Sequence, residues 1–215
     1  MPSSFPRSVY LVRHGEVANP NHVVYADLPG FNLSPLGVRQ ANAAGRHLAT
    51  LPIDAVVTSP LPRAVQTATA IARHHDLAPQ LDAALGETGQ YPAWTGQRWE
   101  DLDGLFPGQL QAYLEDPTRC EGTAETVVEV ARRMVSAIER TSASVRHLVV
   151  VGHQDPLQAA RLTLTGRPLG ELLASPPAHA SVVTVVDDGA GWRERSVWVA
   201  ELDPPTEAET GHHAL

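Results

Sequence analysis

Apolar and polar positions alternate along this chain in two periods. Ser8 to Val12 reads SVYLV, a short strand-like run that stops abruptly at Arg13-His14-Gly15-Glu16. Ser34-Pro35 then opens a predicted helix to about Thr50, with serine as cap and proline in the first turn. Asp54 to Thr58 is β-branched and apolar and predicts a second strand, after which Ser59-Pro60 is expected to open a helix to about His75. Thr123 to Thr141 carries Val127, Ala131, Met134 and Ile138 on one helical stripe. His147 to Val151 is the most apolar strand, and Asp155-Pro156 opens another helix. Ser181 to Asp187 and Trp192 to Glu201 read as two strands joined at Asp188-Gly189, a hairpin signal.

Two stretches break the pattern. Residues 83–122 are rich in Gly, Pro and Trp with weak periodicity, and read as an irregular insertion with one or two short helices. The polar, proline-led end, DPPTEAETGHHAL, reads as a mobile tail over residues 204–215. The expected organisation is one domain over residues 1–203 with residues 83–122 as a cap and specificity insertion. Alternating strands and helices predict an α/β fold. Its central sheet is mainly parallel with an antiparallel edge strand, and helices cover both faces in a three-layer α/β/α sandwich.

Composition narrows the function. The chain has 215 residues, 43% hydrophobic and 19% charged, ordinary for a soluble globular protein. The net charge of −8 argues against a sequence-independent nucleic-acid binder. No apolar run approaches the roughly 20 residues of a membrane span, and no signal-peptide pattern leads the chain. Cys120 is the sole cysteine, so a reduced, cytoplasmic setting is the default. All sixteen Lys and Arg residues are arginine. Without lysine there is no Walker-type phosphate loop and no lysine Schiff base.

Three motifs follow three predicted strands. His14 follows the first, Arg63 sits just beyond the second in TSPLPRAVQTA, and His153 follows the third in VGHQDP. Ligands of open α/β sheets bind outside the carboxyl ends of the strands. Arg13, His14, Arg63 and His153 are thus delivered to one sheet edge. Two guanidiniums and two imidazoles together are costly unless an anion sits among them, and two arginines can grip a phosphoryl group. An imidazole between arginines is pushed toward its neutral form, which is a competent nucleophile at pH 7. Gly15 would let backbone or ligand approach closely. His74-His75 and His212-His213 read as solvated pairs, and Trp94 and Trp99 as core or cleft-lining residues.

These motifs, LVRHGE, then LSxxGxxQA over Leu33 to Ala41, TSPLxRAxQTA over Thr58 to Ala68, and VGH over Val151 to His153, resemble the histidine phosphatase superfamily, also called phosphoglycerate mutase-like. The resemblance spans roughly residues 8 to 165, in order. It implies phosphoryl transfer to His14 and hydrolysis of the phosphohistidine by water. Arg13, Arg63 and His153 would hold the phosphoryl oxygens, with no metal and no cofactor. It also implies a carboxylic acid that protonates the leaving oxygen. Leu85-Gly86-Glu87 fits its context, and Trp94-Thr95-Gly96 resembles the W-x-G that follows it. Asp101, Glu100 and Asp27 are weaker candidates, and Glu16 reads as structural.

The chain departs from the family pattern in two places. The asparagine expected six residues after the nucleophile falls on Pro20; Asn19 becomes the equivalent if one residue is deleted. Gln154 follows His153 where small residues are common. The expected activity is hydrolysis of a phosphomonoester on a small phosphorylated metabolite. A phosphoglycerate mutase, a phosphoprotein phosphatase and a non-catalytic phosphate-binding module are the alternatives. The strand near residues 192–201 is a candidate for pairing across a homodimer.

Overall fold

The computed structural model describes residues 6–88 and 91–202. The predicted tail, its histidine pair and the first five residues lie outside that range. Its sheet has six strands: β1 (Arg7–Arg13), β2 (Ala55–Thr58), β3 (Gln80–Leu81), β4 (His147–Gly152), β5 (Val182–Asp187) and β6 (Trp192–Trp198). Their order across the sheet is β3-β2-β4-β1-β5-β6. β3, β2, β4 and β1 pair in parallel, β5 pairs antiparallel with β1, and β6 pairs antiparallel with β5. The sheet is therefore mainly parallel, as expected. The strand that runs against β1 is β5, one place in from the edge that β6 forms.

Helices α1 (Pro35–Leu48) and α2 (Pro62–Ala72) cover one face, and α5 (Val127–Ser142) and α6 (Gln154–Leu164) the other. Short helices α3 (Leu102–Leu105) and α4 (Gln109–Glu115) lie in the insertion. β1 shows why its run is unbroken. Val9 and Leu11 pack with α5 and α6, while Tyr10 and Val12 pack with α1 and α2. β4 does the same, with Leu148 and Val150 on one face and Val149 and Val151 on the other. A strand buried on both faces has no polar side to show.

Apart from α6, which opens at Gln154 behind His153 rather than at Asp155-Pro156, helix starts carry the expected chemistry with one exception. Ser34 caps α1 by accepting from the Gly37 N–H at 3.0 Å. Thr126 and Glu129 form a reciprocal capping box, so α5 starts at Val127 rather than Thr123. The exception is α2, where Leu61 is the cap and Pro62 opens the first turn. Ser59-Pro60 lies just outside the helix, where the Ser59 hydroxyl accepts from the Leu61 N–H at 3.3 Å and meets His153 Nε2 at 2.8 Å. β3 is two exposed residues long and too short to leave a pattern.

The insertion contains four 3₁₀ turns besides α3 and α4, which is why no 3.6-residue period is visible there. It has its own small core, in which Trp94 packs against Tyr91 and Tyr113 with ring centroids 4.5 and 6.0 Å away. Trp94 is buried and its indole N–H donates to Gln109 Oε1 at 3.0 Å, whereas Trp99 is exposed.

Candidate active site

β1, β2 and β4 run in the same direction and end at one edge of the sheet. The residues just beyond them, Arg13-His14, Ser59 and His153, meet there. β5 is antiparallel, so it begins where the others end and brings the preceding His179 to the same edge. The N–H of Ala180 donates to the Arg13 carbonyl at 2.9 Å.

His14 is buried, and its Nδ1 lies 2.7 Å from the Gly15 carbonyl. A carbonyl can only accept, so Nδ1 carries the proton and the lone pair sits on Nε2. Burial first, then Arg63 and more weakly Arg13 and His179, hold the His14 pKa well below the usual histidine value. The ring is therefore neutral, with a free Nε2. Gly15 has a steric role. A Cβ placed on it would stand 2.4 Å from the Gly37 carbonyl oxygen, so the close approach is to the first turn of α1. Glu16 is structural, as expected. It accepts from the Ser34 hydroxyl at 2.7 Å, and its N–H donates to Gln40 Oε1 at 2.8 Å.

Arg63 is buried in the first turn of α2. Its Nη2 donates to the Ala26 carbonyl at 2.6 Å, and its guanidinium stacks 4.7 Å from the Tyr25 ring centroid. Ala26 takes a left-handed backbone, φ 33°, costly for a residue with a Cβ. Arg13 donates through Nη1 to Gln154 Oε1 at 2.7 Å and the Pro177 carbonyl at 3.0 Å. The His153 ring meets that of His14 edge-on, and burial is the largest cause holding its pKa well below the usual value.

Four buried nitrogens here have no hydrogen-bond partner among the described residues: Arg13 Nε, Arg63 Nε, Arg63 Nη1 and His153 Nδ1. Leaving a buried polar atom unsatisfied costs about 1–3 kcal/mol. Four such atoms on three side chains form a site for an oxyanion.

Glu87 faces this cluster, with Oε2 3.5 Å from His153 Nδ1 and 3.9 Å from Arg63 Nη2. Its pKa is raised to about 7, first by burial and then by the Asp155 charge, against the lowering pull of Arg63. It can hold a proton near neutrality despite the adjacent arginines. Arg133 fixes the segment that carries it, donating from Nη1 to the Ala84 and Gly86 carbonyls at 2.8 and 2.9 Å. Glu125 holds Arg133 in turn at 2.7 Å.

Arg13, His14, Arg63, Glu87 and His153 are thus brought together. Asn19 is not among them: its amide donates to the Val23 carbonyl at 2.9 Å and accepts from the Val23 N–H at 3.1 Å, stapling its own loop. The weaker acid candidates Asp27, Glu100 and Asp101 are exposed, and Glu100 pairs with Arg98. Four residues of the site went unread in the sequence. Tyr25 and Ala26 lie in the stretch between the first two motifs, which no motif covers, and Arg133 lies on an amphipathic helix. His179 sits in an unremarkable loop, with its ring centroid 5.8 Å from that of His14 and its pKa lowered to about 4 by burial and Arg13.

A cleft of about 280 Å³ opens above the cluster. Tyr25, Tyr91, Trp94, Trp99 and Tyr113 contribute its aromatic walls, with Arg13, Glu87, Gln154, Asp155 and His179 supplying polar groups.

The family model of the histidine phosphatase superfamily (branch 1) matches residues 9–199. An uncharacterized protein of Mycobacterium tuberculosis is 38% identical over 185 residues, covering 84% of this chain and 90% of that one. A glucosyl-3-phosphoglycerate phosphatase of Mycolicibacterium vanbaalenii is 28% identical over 173 residues, 76% of each chain. Among solved structures, that of a mycobacterial glucosyl-3-phosphoglycerate phosphatase aligns with a TM-score of 0.79 at 27% identity, covering 91% of this chain and 100% of that one.

Proposed function

The chain belongs to the histidine phosphatase superfamily, and from that premise we propose that it is a phosphomonoester hydrolase acting on a small phosphorylated metabolite through a phosphohistidine at His14. The observation that carries this reading is the set of four unpartnered buried nitrogens on Arg13, Arg63 and His153, beside an imidazole whose Nε2 is free.

In the first step, His14 Nε2 attacks phosphorus and the bond to the leaving alcohol oxygen breaks. Glu87 gives its proton to that oxygen, so a neutral alcohol departs and a carboxylate remains. Arg13, Arg63 and His153 hold the three equatorial oxygens, whose charge the guanidiniums match in the transition state. The Ser59 hydroxyl, at 2.8 Å from His153 Nε2, donates to that nitrogen and so keeps the ring proton on Nδ1, toward the phosphoryl group. In the second step, water attacks the phosphorus and Glu87 takes the proton back. The N–P bond breaks, and inorganic phosphate and the starting histidine are restored. The charge compensation comes from these side chains, so no metal is required.

The size of the cleft favours a metabolite, since about 280 Å³ lies just below the roughly 300–1,000 Å³ typical of small-molecule sites. Relatives named for glucosyl-3-phosphoglycerate and for phosphoserine point the same way. The test is a screen of phosphorylated metabolites in EDTA, with release of inorganic phosphate as the readout. The reading expects turnover by the native protein and none by His14→Ala. Turnover of phosphoglycerates without net phosphate release would replace hydrolase by mutase, and phosphate binding without turnover would leave a binding module.

A further inference from the structure

Where small residues are common after the second histidine, this chain has Gln154-Asp155, and the two side chains lie in a line of hydrogen bonds that runs from the phosphate grip to the cap. Arg13 Nη1 donates to Gln154 Oε1 at 2.7 Å. Gln154 Nε2 donates to Asp155 Oδ1 at 3.2 Å. The Tyr113 hydroxyl, on α4 of the insertion, donates to Asp155 Oδ2 at 2.7 Å. Asp155 is buried and lines the same cleft as Glu87.

We propose that Asp155 is a positioning residue for the reaction: through Gln154 it orients Arg13, through Tyr113 it anchors the insertion, and it stands in the wall of the cleft that Glu87 also lines. This rests on the reading of Glu87 as the acid.

The electrostatics at Glu87 are a balance. Arg63 on α2, the Thr88 N–H that donates to Glu87 Oε1 at 2.9 Å, and Arg13 on β1 favour its ionised form, while burial and Asp155 on α6 oppose it. His153 and His14 are buried with lowered pKa values, and His179, with a pKa near 4, is neutral. Tyr25 is held neutral by burial above all. Glu125, in a crevice that Asp155 also lines, pairs with Arg133 on α5. Two guanidiniums and a backbone N–H thus act on the acid against burial and the Asp155 carboxylate. Deleting the carboxylate's charge while keeping its shape tips Glu87 toward ionisation, so the acid is lost at a lower pH.

Asp155→Asn tests this, with Gln154→Ala as an independent second variant. The Glu87 carboxylic stretch is followed by infrared titration, assigned by its disappearance in Glu87→Gln, so no substrate is needed. In Asp155→Asn the Glu87 midpoint is expected to move to lower pH. In Gln154→Ala inorganic phosphate should bind more weakly, because Arg13 loses the acceptor that orients its guanidinium. An unmoved Glu87 midpoint, or unchanged phosphate affinity, overturns the proposal even with His14-dependent turnover intact. If Asp155→Asn does not fold, phosphate affinity in Gln154→Ala decides. Absence of His14-dependent turnover in the native protein is a different result, and it sinks the phosphatase reading instead.

Discussion

His14 and His153 stand edge-on with ring centroids 5.2 Å apart, a spacing set by backbone register. Arg13 pairs with Gly152 across the parallel strands β1 and β4, so the next residue on each strand is a histidine. The His14 N–H donates to the Gly152 carbonyl at 3.0 Å, continuing the ladder one residue past the strand. The rigid centre of the sheet therefore fixes the two imidazoles, which is the preorganisation that stabilising a transition state requires.

Arg63 shows how much depends on a planar fork. It spends Nη2 on Ala26 and stacks on Tyr25, leaving Nε and Nη1 for phosphoryl oxygens. Lysine keeps the charge but cannot present donors from two nitrogens of one rigid plane. Arg63→Lys is expected to lose about 10² to 10³-fold in kcat, the cost of one lost oxyanion donor. Vanadate should also inhibit that variant less. Steady-state kinetics with retained near-native activity would contradict the role given to Arg63.

The proposed acid gives the expected pH profile its sign. Glu87 has a pKa raised to about 7 and must be protonated to donate, so kcat/KM for an alkyl phosphate falls as pH rises through about 7. His14 must be neutral, and its lowered pKa places the acid limb well below the usual histidine value. Glu87→Gln should lose about 10² to 10⁴-fold on alkyl phosphates. It should lose far less on nitrophenyl phosphate, whose leaving group departs without a proton. Equal losses on both substrates would remove Glu87 from the acid role.

Gly15 and Gly37 are a steric pair. A Cβ on Gly37 would stand 2.0 Å from the Glu16 carbonyl oxygen, and one on Gly15 2.4 Å from the Gly37 carbonyl oxygen. Both obstacles are backbone. Gly15→Ala is expected to cost about 1–3 kcal/mol, as overpacking does. It should also lower kcat, because the clash pushes the loop beside His14. Thermal unfolding and kinetics check both, and a variant with native stability and rate would contradict the close packing.

Legibility in the sequence followed the physics. β1 and β4 were readable because burial on both faces leaves an unbroken apolar run. Arg13, His14, Arg63 and His153 were readable because strand ends and cap residues mark where the sheet edge lies. The true start of α2 was hidden because Ser59-Pro60 looks like a cap and first turn, whereas Leu61-Pro62 is the pair that opens the helix. Arg133 sits on an ordinary amphipathic helix and acts on Glu87 only through the Ala84 and Gly86 carbonyls. His179 enters through the antiparallel β5, and a strand reversal of that kind is invisible to local pattern. Asn19 met the motif only with one residue deleted, and its amide is used on Val23.

The tautomer of His14 makes a claim sharper than loss of activity. With Nδ1–H directed at the Gly15 carbonyl, 2.7 Å away, only Nε2 can attack. Rapid quenching during turnover, followed by NMR of the alkali-stable, acid-labile phosphoprotein, should find phosphate on Nε2 of His14 and none in His14→Ala. Phosphate on Nδ1, on another residue, or steady turnover with no phosphoprotein at all would contradict it.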